Sequence, residues 1–157
     1  MEKIARFFKV SKEQYTKENY DEIKLPKRAT AGSAGYDFFA PYDFTLEAGK
    51  EIVIETGIRA KIEDGWFLMI LPRSGSGFKF GVRLMNTAGI IDSDYFGAEN
   101  EGHIKIKLTG ATKDFTVKKG DAFAQGIFIP YGITFDDDCE AKRVGGFGST
   151  DGKEKIK

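Results

Sequence analysis

Strict alternation of apolar and polar residues most narrows what this chain can become. "EIVIE" sets Ile52 and Ile54 on one face, and "IRAKI" sets Ile58, Ala60 and Ile62 against Arg59 and Lys61. "HIKIKL" repeats the pattern, with Ile104, Ile106 and Leu108 opposite the lysines. Side chains on an extended strand point to alternate faces, so a period of two makes one face a core and gives the other to water. A helix built from these segments would scatter the same residues around its surface. Asp64-Gly65 is a strong two-residue turn signal, and the apolar run behind it, Trp66 to Leu71, reads as a strand buried on both faces. Phe123 to Ile129 supplies another strand, closed by Pro130. Nineteen glycines and 13% aromatic residues suit many short strands joined by tight turns. Helical periodicity is nearly absent. Lys12 to Ile23, with Tyr15, Tyr20 and Ile23 as a weak stripe, is the best candidate and gives one short helix at most. The expectation is an all-β fold, a compact sandwich or barrel.

A chain of 157 residues suits one domain with its own core, and it contains no internal repeat. Residues 1–142 read as the body. From Gly145, "GGFGSTDGKEKIK" has almost nothing to bury before Ile156, so 143–157 read as a mobile tail. Basic and acidic residues balance, 24 against 24, so neither nucleic acid nor an anionic membrane is the default partner. Any bound anion must be held by a local arrangement of donors. The longest apolar run falls far short of the roughly 20 residues of a membrane span, and "MEKIARFFKV" lacks a signal-peptide core. These features point to a soluble, cytoplasmic protein. With only Cys139 and His103, the chain has no intrachain disulfide, no Cys/His zinc site and no zinc-dependent deaminase centre. Both residues are read as structural. A metal, if one takes part, is a hard cation such as Mg²⁺ on oxygen ligands.

Several stretches carry polar chemistry, and each has a plainer reading. "PRSGSGFKFG", Pro72 to Gly81, offers close backbone N–H groups, the Ser74 hydroxyl and the planar fork of Arg73 to an anion; in isolation a flexible hairpin loop is the plainer account. "AGSAGYDFFA" reads as a small-residue turn capped by Asp37, and Gln125 as a polar residue needing a partner in an apolar strand. "IIDSDYFG", Ile90 to Gly97, holds Asp92 and Asp94 astride a serine, as solvated turn residues or as part of an active site. "GFGSTDGKE" grazes the P-loop pattern but misses its spacing, and Glu154 stands in the Ser/Thr place, so a Walker site is rejected. The aspartates at 136–138 read as a solvated loop.

Together, "AGSAGYD", "PRSGSGFKFG", "GIIDSDY", "GDAFAQ" and "GGFGST", in this order from Ala31 to Thr150, resemble the five motifs of the homotrimeric dUTP pyrophosphatases, the dUTPases. The resemblance implies a jelly-roll β-barrel, a homotrimer with active sites shared between chains, and Mg²⁺-assisted hydrolysis of dUTP to dUMP and pyrophosphate. It assigns Asp92 to the attacking water and the 3′-OH, with Asp94 beside it as a turn residue or a supporting neighbour. Tyr95 would lie under the deoxyribose. Arg73, Ser74 and Gly75 would bind phosphate, and Gln125 the α-phosphate and metal waters. Asn86, with the backbone of Gly89, Ile90 and Ile91, would read uracil, and Asp37 would approach the metal's water shell. Phe147 would stack on uracil, with Gly148 and Ser149 on the phosphates, making the tail a lid. Either Arg143 or Lys142 would reach the γ-phosphate, because Arg143 stands one place off the usual spacing. "FGAENEGHI" and Ser11 to Arg28 are longer than the common pattern, in the manner of a bacterial or phage subgroup. Two rivals share the scaffold: a dCTP deaminase, which needs a glutamate where "HIKIKL" has lysines, and a non-enzymatic regulatory protein. A regulatory protein partner is compatible with either reading.

Overall fold

A computed structural model describes residues 2–143 and 145. Twelve short strands and one helix follow one another among them: β1 (Ala5–Lys9), β2 (Lys27–Arg28), β3 (Tyr36–Phe39), β4 (Phe44–Leu46), β5 (Ile52–Glu55), β6 (Ile58–Ile62), β7 (Trp66–Pro72), α1 (Ser74–Phe80), β8 (Arg83–Leu84), β9 (Gly89–Ile91), β10 (Lys105–Thr109), β11 (Phe115–Val117) and β12 (Ala122–Pro130). Every pairing is antiparallel. The strands form a five-stranded sheet ordered β2-β3-β12-β7-β9, a three-stranded sheet β5-β10-β8, and the pairs β1-β6 and β4-β11.

The alternation of the sequence is the alternation of burial. Ile58, Ala60 and Ile62 point inward from β6, and Ile104, Ile106 and Leu108 are at most 2% exposed. Ile106 stands opposite Ile54 across β10 and β5, while Lys105 meets Glu55 on the outer face at 3.0 Å. Phe38, Phe123, Leu46 and Leu68 complete a core of side chains each stabilising by about 1.5–3 kcal/mol. A register shift in β12 between Ala122 and Ala124 lets consecutive residues Phe123 and Ala124 both face inward. That bulge sets the phase in which Gln125 is carried outward.

Three expectations are corrected. Lys12 to Ile23 forms no helix beyond a 3₁₀ turn at Tyr20–Glu22. Its apolar residues instead seat on the body: Ile23 and Tyr15 crowd Gly57, whose φ of +69° leaves no room for a Cβ. The Tyr15 hydroxyl bonds Asn19 within the segment, and Thr16 bonds Glu55 of β5, tying the segment to the body without a helical ladder. The helix lies elsewhere, in the glycine-rich "SGSGFKF" read as a loop. Finally, β7 is not buried on both faces: Leu68 and Ile70 are buried, and its other face is only half-covered. Asp64-Gly65 turns the chain as expected, passing between sheets, since β6 pairs with β1 and β7 with β12 and β9.

Candidate active site

The motif residues gather into two clusters. In the first, β3 and β12 run side by side with Asp37 opposite Gln125, and the end of β7 delivers Arg73. Arg73 Nε pairs with Asp37 Oδ1 at 3.2 Å, and its Nη1 donates to the Ala122 carbonyl at 3.1 Å. Gln125 Nε2 donates to the Pro72 carbonyl at 3.1 Å, which answers the demand for a partner. Gly35 makes space for that amide, since a Cβ there would come within 2.7 Å of Gln125 Oε1. Ser74 and Gly75 open α1, where the N–H groups of Ser76 and Gly77 both return to the Arg73 carbonyl. A cleft of about 330 Å³ lies here, lined by Arg73, Ser74, Gly75, Ser76 and Asp121.

The second cluster is built on β9. Asp92 follows it in extended conformation and begins the 3₁₀ turn Ser93–Gly97, which carries Asp94 and Tyr95. Arg143 spans both acids, with Nη2 on Asp92 Oδ2 at 2.6 Å and Nε on Asp94 Oδ1 at 2.7 Å. Its guanidinium also lies over the Tyr95 ring, 5.6 Å from the centroid. Tyr95 itself is 5% exposed. Burial raises its phenol above the ordinary value, while the Asn100 hydrogen bond and the charges of Lys105 and Arg143 oppose that shift. Asn86 lies in the β8–β9 connection, where Thr87 holds a left-handed φ of +68°. With Gly89, Ile90 and Ile91 it lines a largely apolar cleft of about 480 Å³, bounded opposite by Ile106 and Lys107. Gly89 sits so close to Ile70 that a Cβ would meet its side chain at 3.2 Å.

Asp92 and Arg73 stand at different levels along β7. Ile91 stands opposite Leu68, so Asp92 follows at the start of β7, whereas Arg73 follows Pro72 at its end. At about 3.3 Å per residue, the span from Phe67 to Arg73 is roughly 20 Å. Phe147, Gly148 and Ser149 lie outside the described residues. Among the described residues no three carboxylate, imidazole or thiol groups gather as a metal site.

Several residues that shape these clusters were not singled out by sequence reasoning. Gly35 and Asn100 are two, and Arg59, which donates to the Phe96 carbonyl and stacks on the Phe96 ring at 3.6 Å, is a third. Only the glycine carried a local signal. His103, fully buried, accepts from the Gly57 N–H through Nε2 at 2.9 Å, consistent with a structural role. Cys139 is exposed and unpaired.

Residues 21–151 match the dUTPase family profile. Over 142 residues the chain is 37% identical to the deoxyuridine 5′-triphosphate nucleotidohydrolase of Lactococcus lactis subsp. lactis, a match covering 88% of this chain and 95% of that one. It is 40% identical over 136 residues to the enzyme of that name from Haemophilus ducreyi, covering 81% and 86%. The crystal structure of dUTPase from Streptococcus mutans superposes with a TM-score of 0.67 at 33% identity, covering 82% of this chain and 97% of that one. Staphylococcus bacteriophage 80alpha dUTPase shares the fold at 21% identity and a TM-score of 0.65, over 92% and 90% of the two chains. With its site motifs mapped onto two clusters of a matching β fold, this chain belongs to the dUTPase family.

Proposed function

We propose that the chain hydrolyses dUTP to dUMP and pyrophosphate, at sites completed between subunits of a homotrimer. The observation that carries this reading is the separation of Asp92, level with the start of β7, from Arg73 just past its end. Water must attack the α-phosphorus in line while pyrophosphate leaves, so the group that orients water and the groups that hold phosphate must act on one atom. Asp92 and Arg73 cannot do so from the same chain at roughly 20 Å. A neighbouring copy bringing its first cluster to this chain's second can. Such packing would also cover the half-buried face of β7, and the sheets would then read as the jelly-roll barrel of the family.

In this reading Asp92 accepts from the attacking water and the 3′-OH, and Tyr95 closes the space a 2′-OH would need. The apolar cleft beside Asn86 takes the base. Its close wall at Gly89, Ile90 and Ile91 presents backbone groups to the uracil edge and leaves no room for the thymine methyl. Arg73, Ser74 and Gly75 hold phosphate, and Gln125, its amide nitrogen fixed on Pro72, keeps an amide oxygen beside Gly35 for the α-phosphate and metal waters. Asp37 and Gln125 offer hard oxygen acceptors without forming a cage, a donor set suited to the waters of a Mg²⁺ that arrives on the triphosphate. When bound, the ion neutralises developing phosphate charge. The hold of Arg143 on two carboxylates favours it over Lys142 as the cation that exchanges its partners for the triphosphate. Phe147, Gly148 and Ser149 would follow it over base and phosphates. The activity would limit uracil in DNA and supply dUMP, in a cytoplasmic protein of a bacterial or phage subgroup.

A dCTP deaminase would need its acid on β10, where Lys105 and Lys107 flank buried Ile106. The test is pyrophosphate release with Mg²⁺ from dUTP, dCTP, dTTP and UTP in parallel, with each product's base identified. Release from dUTP alone is expected. Deamination of dCTP, or no turnover of any of the four, would overturn the reading.

A further inference from the structure

The segment that follows Tyr95, Phe96 to Ile104, folds back on the tyrosine instead of leaving as a free loop. The Tyr95 hydroxyl donates to the His103 carbonyl at 3.0 Å and accepts from Asn100 Nδ2 at 2.8 Å. Asn100 is itself held at both ends of its side chain and backbone: its Oδ1 accepts from the Gly102 N–H at 3.2 Å, and its carbonyl accepts from the His103 N–H at 3.0 Å. Two consecutive left-handed residues, Glu101 at φ +58° and Gly102 at φ +70°, bring the chain round. Gly102 passes so near that a Cβ would lie 2.6 Å from the Tyr95 carbonyl. The far side is tied down as well. Glu101 Oε2 accepts from the Ser11 N–H at 2.8 Å, and Arg59 reaches both Glu101 and the Phe96 carbonyl. His103 then plugs into the body against Gly57.

We propose that Asn100 is a specificity-determining positioning residue, whose carboxamide fixes the Tyr95 ring at the height that refuses a ribose. The inference rests on the reading that Tyr95 underlies the deoxyribose. A ring excludes a 2′-OH only if it cannot recede, because a hydroxyl is small and a tilt of about 1 Å is enough to change reactivity strongly. Packing alone holds the edge of a ring loosely, whereas two hydrogen bonds to its hydroxyl fix both tilt and depth. Removing Asn100 takes away the amide that donates to the phenol and loosens the hold on the ring's tilt and depth. The segment after Tyr95 is then a brace for sugar selection, and its length serves to bring one amide beneath the phenol.

The decisive quantity is the ratio of kcat/KM for dUTP to that for UTP, since a loss of folded enzyme cancels from it. Asn100→Ala is expected to lower the ratio about tenfold, chiefly through faster use of UTP. Tyr95→Phe, which keeps the ring and removes only the bonded hydroxyl, is expected to do the same. The double variant should be no worse than either single one, because both cut the same tie. If Asn100→Ala and Tyr95→Phe keep the wild-type ratio while Tyr95→Ala lowers it, the brace is overturned and the sugar reading stands. If Tyr95→Ala keeps the ratio too, the sugar reading falls and the brace with it.

Discussion

In the proposed reaction, Asp92 concentrates the chemistry most sharply on one side chain. It starts the turn that carries Asp94 and Tyr95, and its carboxylate already holds a guanidinium nitrogen at 2.6 Å, so it faces a region where charge is exchanged. On the proposed role, Asp92→Asn keeps the shape and loses the carboxylate that would take the water's proton, so dUTP binding should persist while kcat falls by about 10²–10⁴. A kcat near wild type would remove Asp92 from the reaction. Gly35→Ala tests the first cluster without touching a reacting group. Its methyl would collide with Gln125 Oε1 and push the amide from its bond to Pro72. The expected outcome is a drop in kcat/KM for dUTP with the melting temperature little changed; an unaltered kcat/KM would mean that the Gln125 position is immaterial. Motif spacing made Asp92 and Gln125 legible from the sequence. Gly35 was legible only as a turn residue, because its reason for being glycine is a side chain 90 positions away.

At the scale of elements, alternation identified β5, β6 and β10, because each has one face in the core and one in water. α1 was hidden for the converse reason. Its seven residues include two glycines, each costing about 1 kcal/mol against alanine in a helix, and bury only Ser76, so neither propensity nor periodicity marks it. The helix is held from outside. Gly81 ends it at φ +72° with its N–H returned to Gly77, Thr112 donates to the Phe80 carbonyl, and the Phe80 ring packs on Phe115 with centroids 5.0 Å apart. Gly81→Ala would strain that left-handed turn and press a Cβ within 3.0 Å of the Gly110 carbonyl. A loss of about 1 kcal/mol or more in urea unfolding is expected, together with weaker dUTP binding as Ser74 and Gly75 shift. Unchanged stability would show that α1 does not depend on its cap. The stripe at Tyr15, Tyr20 and Ile23 misled because burial against Gly57 and His103 leaves the same spacing as a helical face.

For the molecule as a whole, the single histidine sets a pH dependence. Burial, aided by the Lys105 charge, lowers the His103 imidazole below its ordinary 6.5, and Glu55, the Gln14 backbone and Glu101 only partly offset this. Gln14 approaches the ring without a well-formed bond to Nδ1, so the neutral ring relies on Gly57. The folded chain therefore keeps His103 neutral after the unfolded chain has taken up its proton. Its contribution is complete above pH 6.5 and is lost as pH falls toward the depressed folded value. Glu55 and Glu101, both held below their ordinary 4.5, add their losses only in stronger acid. Urea midpoints measured from pH 7.5 to 5 should decline for the native chain and stay flatter for His103→Gln; parallel curves would contradict the assignment. The all-β class of the chain was legible from sequence, but the separation of Asp92 from Arg73 was not, because it depends on which strands flank β7. That separation also gives the most direct test. Arg73→Ala and Asp92→Asn chains, each inactive alone, can be unfolded, mixed in equal amounts and refolded together. If sites draw Asp92 and Arg73 from different chains, about one site in four across all the refolded trimers carries both, and dUTP hydrolysis should return to about a quarter of wild type. If each chain builds its own site, every site lacks one residue, and a mixture as inactive as its parents would contradict the shared site.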